Sequence, residues 1–171
     1  MPKQTPQKDH VHARSPISKG LAGRLVAEFE DLKLGVRFAI YLELRNHSSD
    51  PIAVTNQPQI AAEVFDEAGN VVSPSGARRS GPLRSPQWVV IPIDAYVGYR
   101  VDMQTLGLSE KERQVVLLAV GDNSWELKVG KYVFKATASF EESKDGPQDQ
   151  WIGELVLPPV EIVVTHEMFQ Q

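Results

Sequence analysis

The stretch "LKVGKYVFKATASF", residues 127–140, decides the fold. From Tyr132 onward apolar and polar positions alternate with a period of two. Tyr132, Phe134, Ala136, Ala138 and Phe140 share one face, while Val133, Lys135, Thr137 and Ser139 share the other. A helix would bring its apolar positions round every three to four residues, so the stretch predicts a strand with one face in a core. Gly130 stands just ahead of it, where the chain must turn from loop to strand without a Cβ in the way. The small Ala136 and Ala138 leave room for a large side chain from a facing sheet, for which Leu42 or Leu44 is suited.

The same period governs the chain on either side. In "VRFAIYLELRN" (36–46), Val36, Phe38, Ile40, Leu42 and Leu44 point one way, and Arg37, Ala39, Tyr41, Glu43 and Arg45 the other. "LAGRLVAEF" (21–29), "YRVDM" (99–103) and "PVEIVVT" (159–165) follow suit. Between them lies turn chemistry: "NHSSDP" (46–51), whose side chains can cap their own backbone, "DEAGN" (66–70) with Gly69 suited to a positive φ, and "GDNS" (121–124). Eight or nine strands at this spacing, with no long helical pattern, predict an all-β antiparallel sandwich or barrel. Ser109 and Glu112 in "LSEKERQ" have capping-box spacing, which predicts one short helical turn before "VVLLAV" (115–120). The organisation expected is a flexible tail over residues 1–20 and a single domain over 21–171.

Taken in order, "VRFAIYLELRNHSSDPIAV", "EVFDEAGNVV", "GKYVFKATASF" and "VEIVVT" are similar to bacterial immunoglobulin-like domains, and also to an uncharacterised bacterial family. The resemblance covers most of residues 21–165. It implies an immunoglobulin-like β-sandwich in which Tyr132 forms a tyrosine corner, its hydroxyl bonding to the backbone a few residues upstream. Phe134 stands where antibody domains carry their second cysteine, and Phe65 replaces their buried Trp, so kinship with antibodies themselves is not implied. The intracellular proteinase inhibitors of bacilli share the broad layout, which keeps an inhibitor-like function among the alternatives.

Composition narrows the function. The net charge is −4, but residues 1–20 carry a sum of +3, which leaves −7 on the body. An acidic body argues against nucleic acid, because phosphate neutralisation needs clustered Lys and Arg. No apolar run reaches membrane-spanning length. The N-terminal residues lack the apolar stretch of a secretory signal, so the chain as written reads as cytoplasmic; a removed signal would make it periplasmic or extracellular. There is no cysteine, which excludes disulfides and thiolate metal sites.

Little points to catalysis. His10, His12, His47 and His166 lie in the tail, in a turn and after the last strand, and no nucleophile–base set accompanies them. Asp66, Glu67 and Asp122 sit in turns that could offer oxygen to Ca²⁺, yet EF-hand spacing is missing. No cofactor and no metal site are expected. What stands out is the loop 73–87, with three Pro, three Arg and no acid, and two Trp that follow loops rich in Pro and Gln. Arg78, Arg79 and Arg84 suit an anionic partner through bidentate guanidinium contacts, and Trp88 and Trp151 suit an apolar anchor. The Gly-Pro to Gln-Trp order occurs in both "GPLRSPQW" (81–88) and "GPQDQW" (146–151). Trp125, in the alternating "WEL", is expected in the core. The expectation is a non-enzymatic module binding a protein partner at Arg78, Arg79, Arg84, Trp88 and Trp151, with carbohydrate stacking on the two Trp rings as the alternative.

Overall fold

The computed structural model describes residues 13–27, 40–77, 87–100, 108–109 and 114–169. They form an all-β protein of antiparallel strands. In chain order these are β1 (Leu21–Ala27), β2 (Ile40–Asn46), β3 (Ile52–Thr55), β4 (Gln59–Asp66), β5 (Val71–Val72), β6 (Gly76–Ala77), β7 (Trp88–Ile91), β8 (Tyr96–Arg100), β9 (Leu108–Ser109), β10 (Val115–Val120), β11 (Asn123–Leu127), β12 (Gly130–Phe140), β13 (Gly153–Val156) and β14 (Val160–Val164). A single 3₁₀ turn, His166–Phe169, follows. No helix among the described residues is long and apolar enough to cross a membrane.

The long alternating stretch is β12, the hub of the largest sheet. One of its edges pairs with β4, from Tyr132 opposite Asp66 to Ser139 opposite Gln59. The other edge is shared, β14 pairing with its first half and β13 with its second. β5 extends the sheet beyond β4. A second sheet runs β1–β2–β8, a third β6–β11–β10–β9, and β3 with β7 makes a short fourth. All contribute to one apolar core, including Leu42, Val54, Leu118, Phe134 and Leu155. Each fully buried Leu or Phe contributes on the order of 1.5–3 kcal/mol relative to leaving it in water.

The phase of the alternation holds. Leu42, Leu44, Val64, Phe134 and Ile162 are buried, and Trp125 is 1% exposed with its indole N–H donating to the Val72 carbonyl at 3.1 Å. The Trp125 ring meets Phe134 edge-on, centroids 6.3 Å apart. Tyr132 is half-buried, and Val101 lies outside the described residues. Gly69 has φ +84, and its N–H donates to the Asp66 carbonyl, closing the β4–β5 hairpin as its sequence predicts.

Three expectations are revised. The described strands number fourteen rather than eight or nine, several of them, such as β5, β6 and β9, only two residues long. Residues 52–66 make two: β3 joins β7 and β4 joins β12, with Pro58, which has no N–H to give a ladder, between them. Ser109, expected to cap a helical turn, lies in β9 opposite Val115, while residues 110–113 lie outside the described residues. The described part of the expected tail is tied to the sheet. The Ser15 N–H donates to the Gly23 carbonyl at 2.7 Å, the Gly23 N–H donates to Ser15 Oγ at 2.9 Å, and Ser18 and Leu21 exchange backbone bonds. Ser15 is buried as a result. Residues 1–12 lie outside the described residues.

Asn46, at the end of β2, fixes the short sheet against the second one. Its amide donates to the carbonyls of Asp50 at 2.8 Å and Ile91 at 3.0 Å, and its Oδ1 accepts from the Ser48 N–H and hydroxyl. Its own N–H donates to the Ala95 carbonyl. A fully buried amide is tolerable only when satisfied in this way, and here it holds the exit of β7 beside the 47–51 turn.

Candidate functional site

The two Gln-Trp segments, far apart in sequence, meet on either side of β3. On one side β7 pairs with β3, placing Trp88 opposite Thr55. On the other, Gln150 bridges Ala53 in parallel and the Trp151 N–H donates to the Ala53 carbonyl at 2.8 Å. The end of the β3–β7 pair is pinned by Asn56 and Gln87: the Asn56 N–H donates to the Gln87 carbonyl, and the Gln87 N–H donates to Asn56 Oδ1, both at 2.9 Å. The order of residues noted in the sequence thus corresponds to a shared place in the fold, although no repeat of backbone structure underlies it.

Gln150 also closes the loop that precedes it. Its Oε1 accepts from the Ser143 N–H and its Nε2 donates to the Ser143 carbonyl, both at 2.9 Å. The Gly146 N–H donates to the same carbonyl. Residues 143–150 are therefore a hydrogen-bonded turn that presents Asp145 and Asp149 at its exposed surface. Trp88 lies against this turn. A Cβ added at Gly146 would come within 2.5 Å of Trp88 Cζ2, so the glycine is needed for the close approach of ring and backbone.

Trp88 is half-buried, with one part of its ring on Gly146 and the rest toward solvent. Val90, two positions on and therefore on the same side of β7, is 61% exposed, and Ile93 in the following turn is 51% exposed. Trp88 and Val90 thus make an apolar strip on one side of β7, Ile93 is exposed in the turn beyond it, and the 143–150 turn lies against the Trp88 end.

Trp151 is corrected. It was expected on a partner surface, and it is 7% exposed. Its ring packs edge-on against Phe140, centroids 5.2 Å apart, and its indole N–H donates to the Lys19 carbonyl at 3.2 Å. A ring this buried cannot stack on a sugar, so Trp88 and Trp151 do not form a paired-ring platform. Arg78, Arg79 and Arg84 lie outside the described residues.

Beyond the turn is an open cleft of about 430 Å³, with Glu141, Glu142, Glu154, Ser139, Gln59 and Ile152 among its walls. The Ser139 hydroxyl donates to Glu154 at 3.2 Å. Among the described residues no group of three or more His, Cys, Asp or Glu is placed to hold a metal ion. Asp66, a candidate calcium ligand by sequence, is occupied in its own hairpin: it accepts from the Asn70 N–H at 2.8 Å and the Asn70 amide at 3.1 Å. Those bonds, the backbone one foremost, hold its carboxyl below the usual carboxylate range.

No family model, curated protein or solved structure matches the chain.

Proposed function

We propose that the chain is an immunoglobulin-like β-sandwich acting as a non-enzymatic interaction module, and that it docks a protein partner at the Trp88 end. Strand neighbours support the fold assignment. One sheet has the order β14–β12–β4–β5 and another β1–β2–β8. These are the neighbour relations of the two sheets in such domains, last strand beside corner strand beside third strand, and first beside second beside a later one. The Tyr132 hydroxyl donates to the Lys128 carbonyl at 3.1 Å, the bond expected of a tyrosine corner.

The observation that carries the docking assignment is the Trp88–Val90 strip. A Trp fixed on one side by Gly146 is already ordered, so burying its open part against a partner costs little further side-chain entropy. With Trp151 in the core, Trp88 and Trp151 do not make a paired platform for a sugar, and a protein surface is the better match. The test compares capture from a host extract by the native chain, by Trp88→Ala with Val90→Glu, and by Val163→Glu, an exposed position on β14. A partner retained by the native chain and Val163→Glu but lost by the double variant is the expected result. Equal recovery by all three, with folding verified by circular dichroism, would overturn the assignment.

A further inference from the structure

β7 pairs with β3 along one edge, and the direction of its backbone groups can be assigned residue by residue. In an antiparallel pair, residues that exchange backbone bonds alternate with residues whose N–H and C=O point away from the partner. At the end of the β3–β7 pair the Asn56 N–H donates to the Gln87 carbonyl, so Gln87 points toward β3. Along the register Val89 and Ile91 then do the same, and Trp88 and Val90 point the other way. β3 gives an independent check. Ala53, opposite Val90, offers its carbonyl to the Trp151 N–H on the side away from β7. Among the described residues, none bonds to the backbone of Trp88 or Val90.

The same two residues carry the outward side chains of the strand. Val90 is 61% exposed and Trp88 is half-buried, while Ile91 is buried. β7 contains no charged residue. Unpaired backbone groups beside apolar side chains are a template for a further strand, which is why edges are commonly blunted by Lys, Pro or a bulge. Here no charge interrupts the strand, and Pro92, with no N–H, ends it.

We propose, resting on the docking assignment at the Trp88 end, that the partner is a second copy of this chain, β7 pairing antiparallel with the same strand about a two-fold axis at Val89. In that register Trp88 lies opposite Val90 of the second copy, and Val90 opposite its Trp88. These are the residues whose backbone groups point outward, so both pairs exchange their bonds. Opposite residues of a ladder share a face, so each indole meets a valine across the junction, a favourable cross-strand pair. An axis at Trp88 would set Val90 opposite Pro86, and an axis at Val90 would set Trp88 opposite Pro92. Proline has no N–H to exchange, so the axis at Val89 makes the fullest ladder. One patch serves both copies, as a two-fold interface requires. A ladder of four residues a side is small beside the ~1,200–2,000 Å² of stable complexes, so the dissociation constant is expected on the order of 100 μM.

The test is sedimentation equilibrium of the full chain. Val90→Pro removes an outward N–H and leaves the β3–β7 bonds in place, as proline does on an edge strand. It should weaken association at least about tenfold, with a thermal midpoint close to native. Val90→Ala keeps the N–H and should weaken association less. Val89→Cys, in a chain with no cysteine of its own, should form a disulfide-linked dimer faster than Val156→Cys, although Val156 is 69% exposed. The two copies of position 89 would be a non-bonded pair with Cα atoms about 4.5 Å apart, within disulfide range. A chain that stays monomeric at about millimolar concentration would overturn the self-pairing. So would association unaltered by Val90→Pro in a folded chain, or no advantage for Val89→Cys. A monomeric chain that still captures a host protein through Trp88 and Val90 would overturn the self-pairing alone. Capture and self-association both unaltered by Trp88→Ala with Val90→Glu would overturn the docking assignment as well.

Discussion

The Tyr132 hydroxyl donates to the Lys128 carbonyl at 3.1 Å across the turn that contains Gly130. One bond thereby locks the loop leaving β11 to the first residues of β12, the strand on which β4, β13 and β14 all depend. Burial raises the phenol above its ordinary pKa, so it keeps its proton and remains a donor at neutral pH. Tyr132→Phe should cost about 1 kcal/mol, the usual net contribution of a hydrogen bond. Tyr132→Ala should cost more, but less than the ~3–5 kcal/mol of a fully enclosed aromatic, because the ring is only half-buried. Urea midpoints of the two variants check both values, and a Phe variant indistinguishable from native would show that the corner bond contributes nothing.

Trp151 behaves as a core residue, so its truncation should be felt throughout the molecule. Trp151→Ala removes the edge-on contact with Phe140 and the indole bond to the Lys19 carbonyl. A loss of about 3–5 kcal/mol is expected, as for other buried aromatic truncations. Thermal unfolding measures it. A change within the ~0.5 kcal/mol typical of surface substitutions would return Trp151 to the surface.

Glu43, on β2, gives the chain an acid-sensitive contact: Arg24 donates to it through Nε and Nη2, both at 3.1 Å, and Arg14 also pairs with it. Its folded pKa lies below the usual 4.5, so it contributes stability that is present above the unfolded value and lost as pH falls through the folded one. Glu43→Gln removes the pairing at neutral pH and with it that part of the acid dependence. The denaturant midpoint of the native chain should therefore fall more between pH 7 and about pH 3 than that of Glu43→Gln. Parallel curves would mean that the Arg14 and Arg24 contacts are not differentially stabilising.

The core was legible because burial on a strand leaves a local trace. Leu42, Leu44, Val64, Phe134 and Ile162 each sit in a period-two run, and one phase fits all of them. Trp151 leaves no such trace. A Trp after a Pro- and Gln-rich loop has the same neighbours in sequence whether it is exposed or enclosed, and its burial depends on Phe140, Ala53 and Lys19. The division of residues 52–66 between two sheets is equally non-local, since which strand β3 pairs with depends on β7, more than thirty residues away. The β1–β2–β8 sheet shows both sides of this. That Tyr41, Glu43 and Arg45 share the outward phase of β2 follows from alternation, but that β2 and β8 lie side by side, Glu43 opposite Gly98, follows only from the assembled sheet.

Gly146→Ala tests the Trp88 strip without removing any of its side chains. The added methyl would overlap Trp88 Cζ2 and also approach the Gln150 amide at 2.9 Å. One of the two must yield. Gln150 is held by paired bonds to the Ser143 backbone, whereas the open part of the Trp88 ring has solvent beside it. The ring should therefore move outward, becoming more exposed and less ordered. Trp88 emission should shift to the red in a chain whose Trp125 and Trp151 are replaced by Phe, and acrylamide quenching should rise. The cost in stability should be modest, about 1–3 kcal/mol as for other overpacking substitutions. A partner docked on the strip should bind more weakly, because the anchor would have to be reordered on association. Unchanged emission together with unchanged stability would mean that Trp88 does not rest on Gly146.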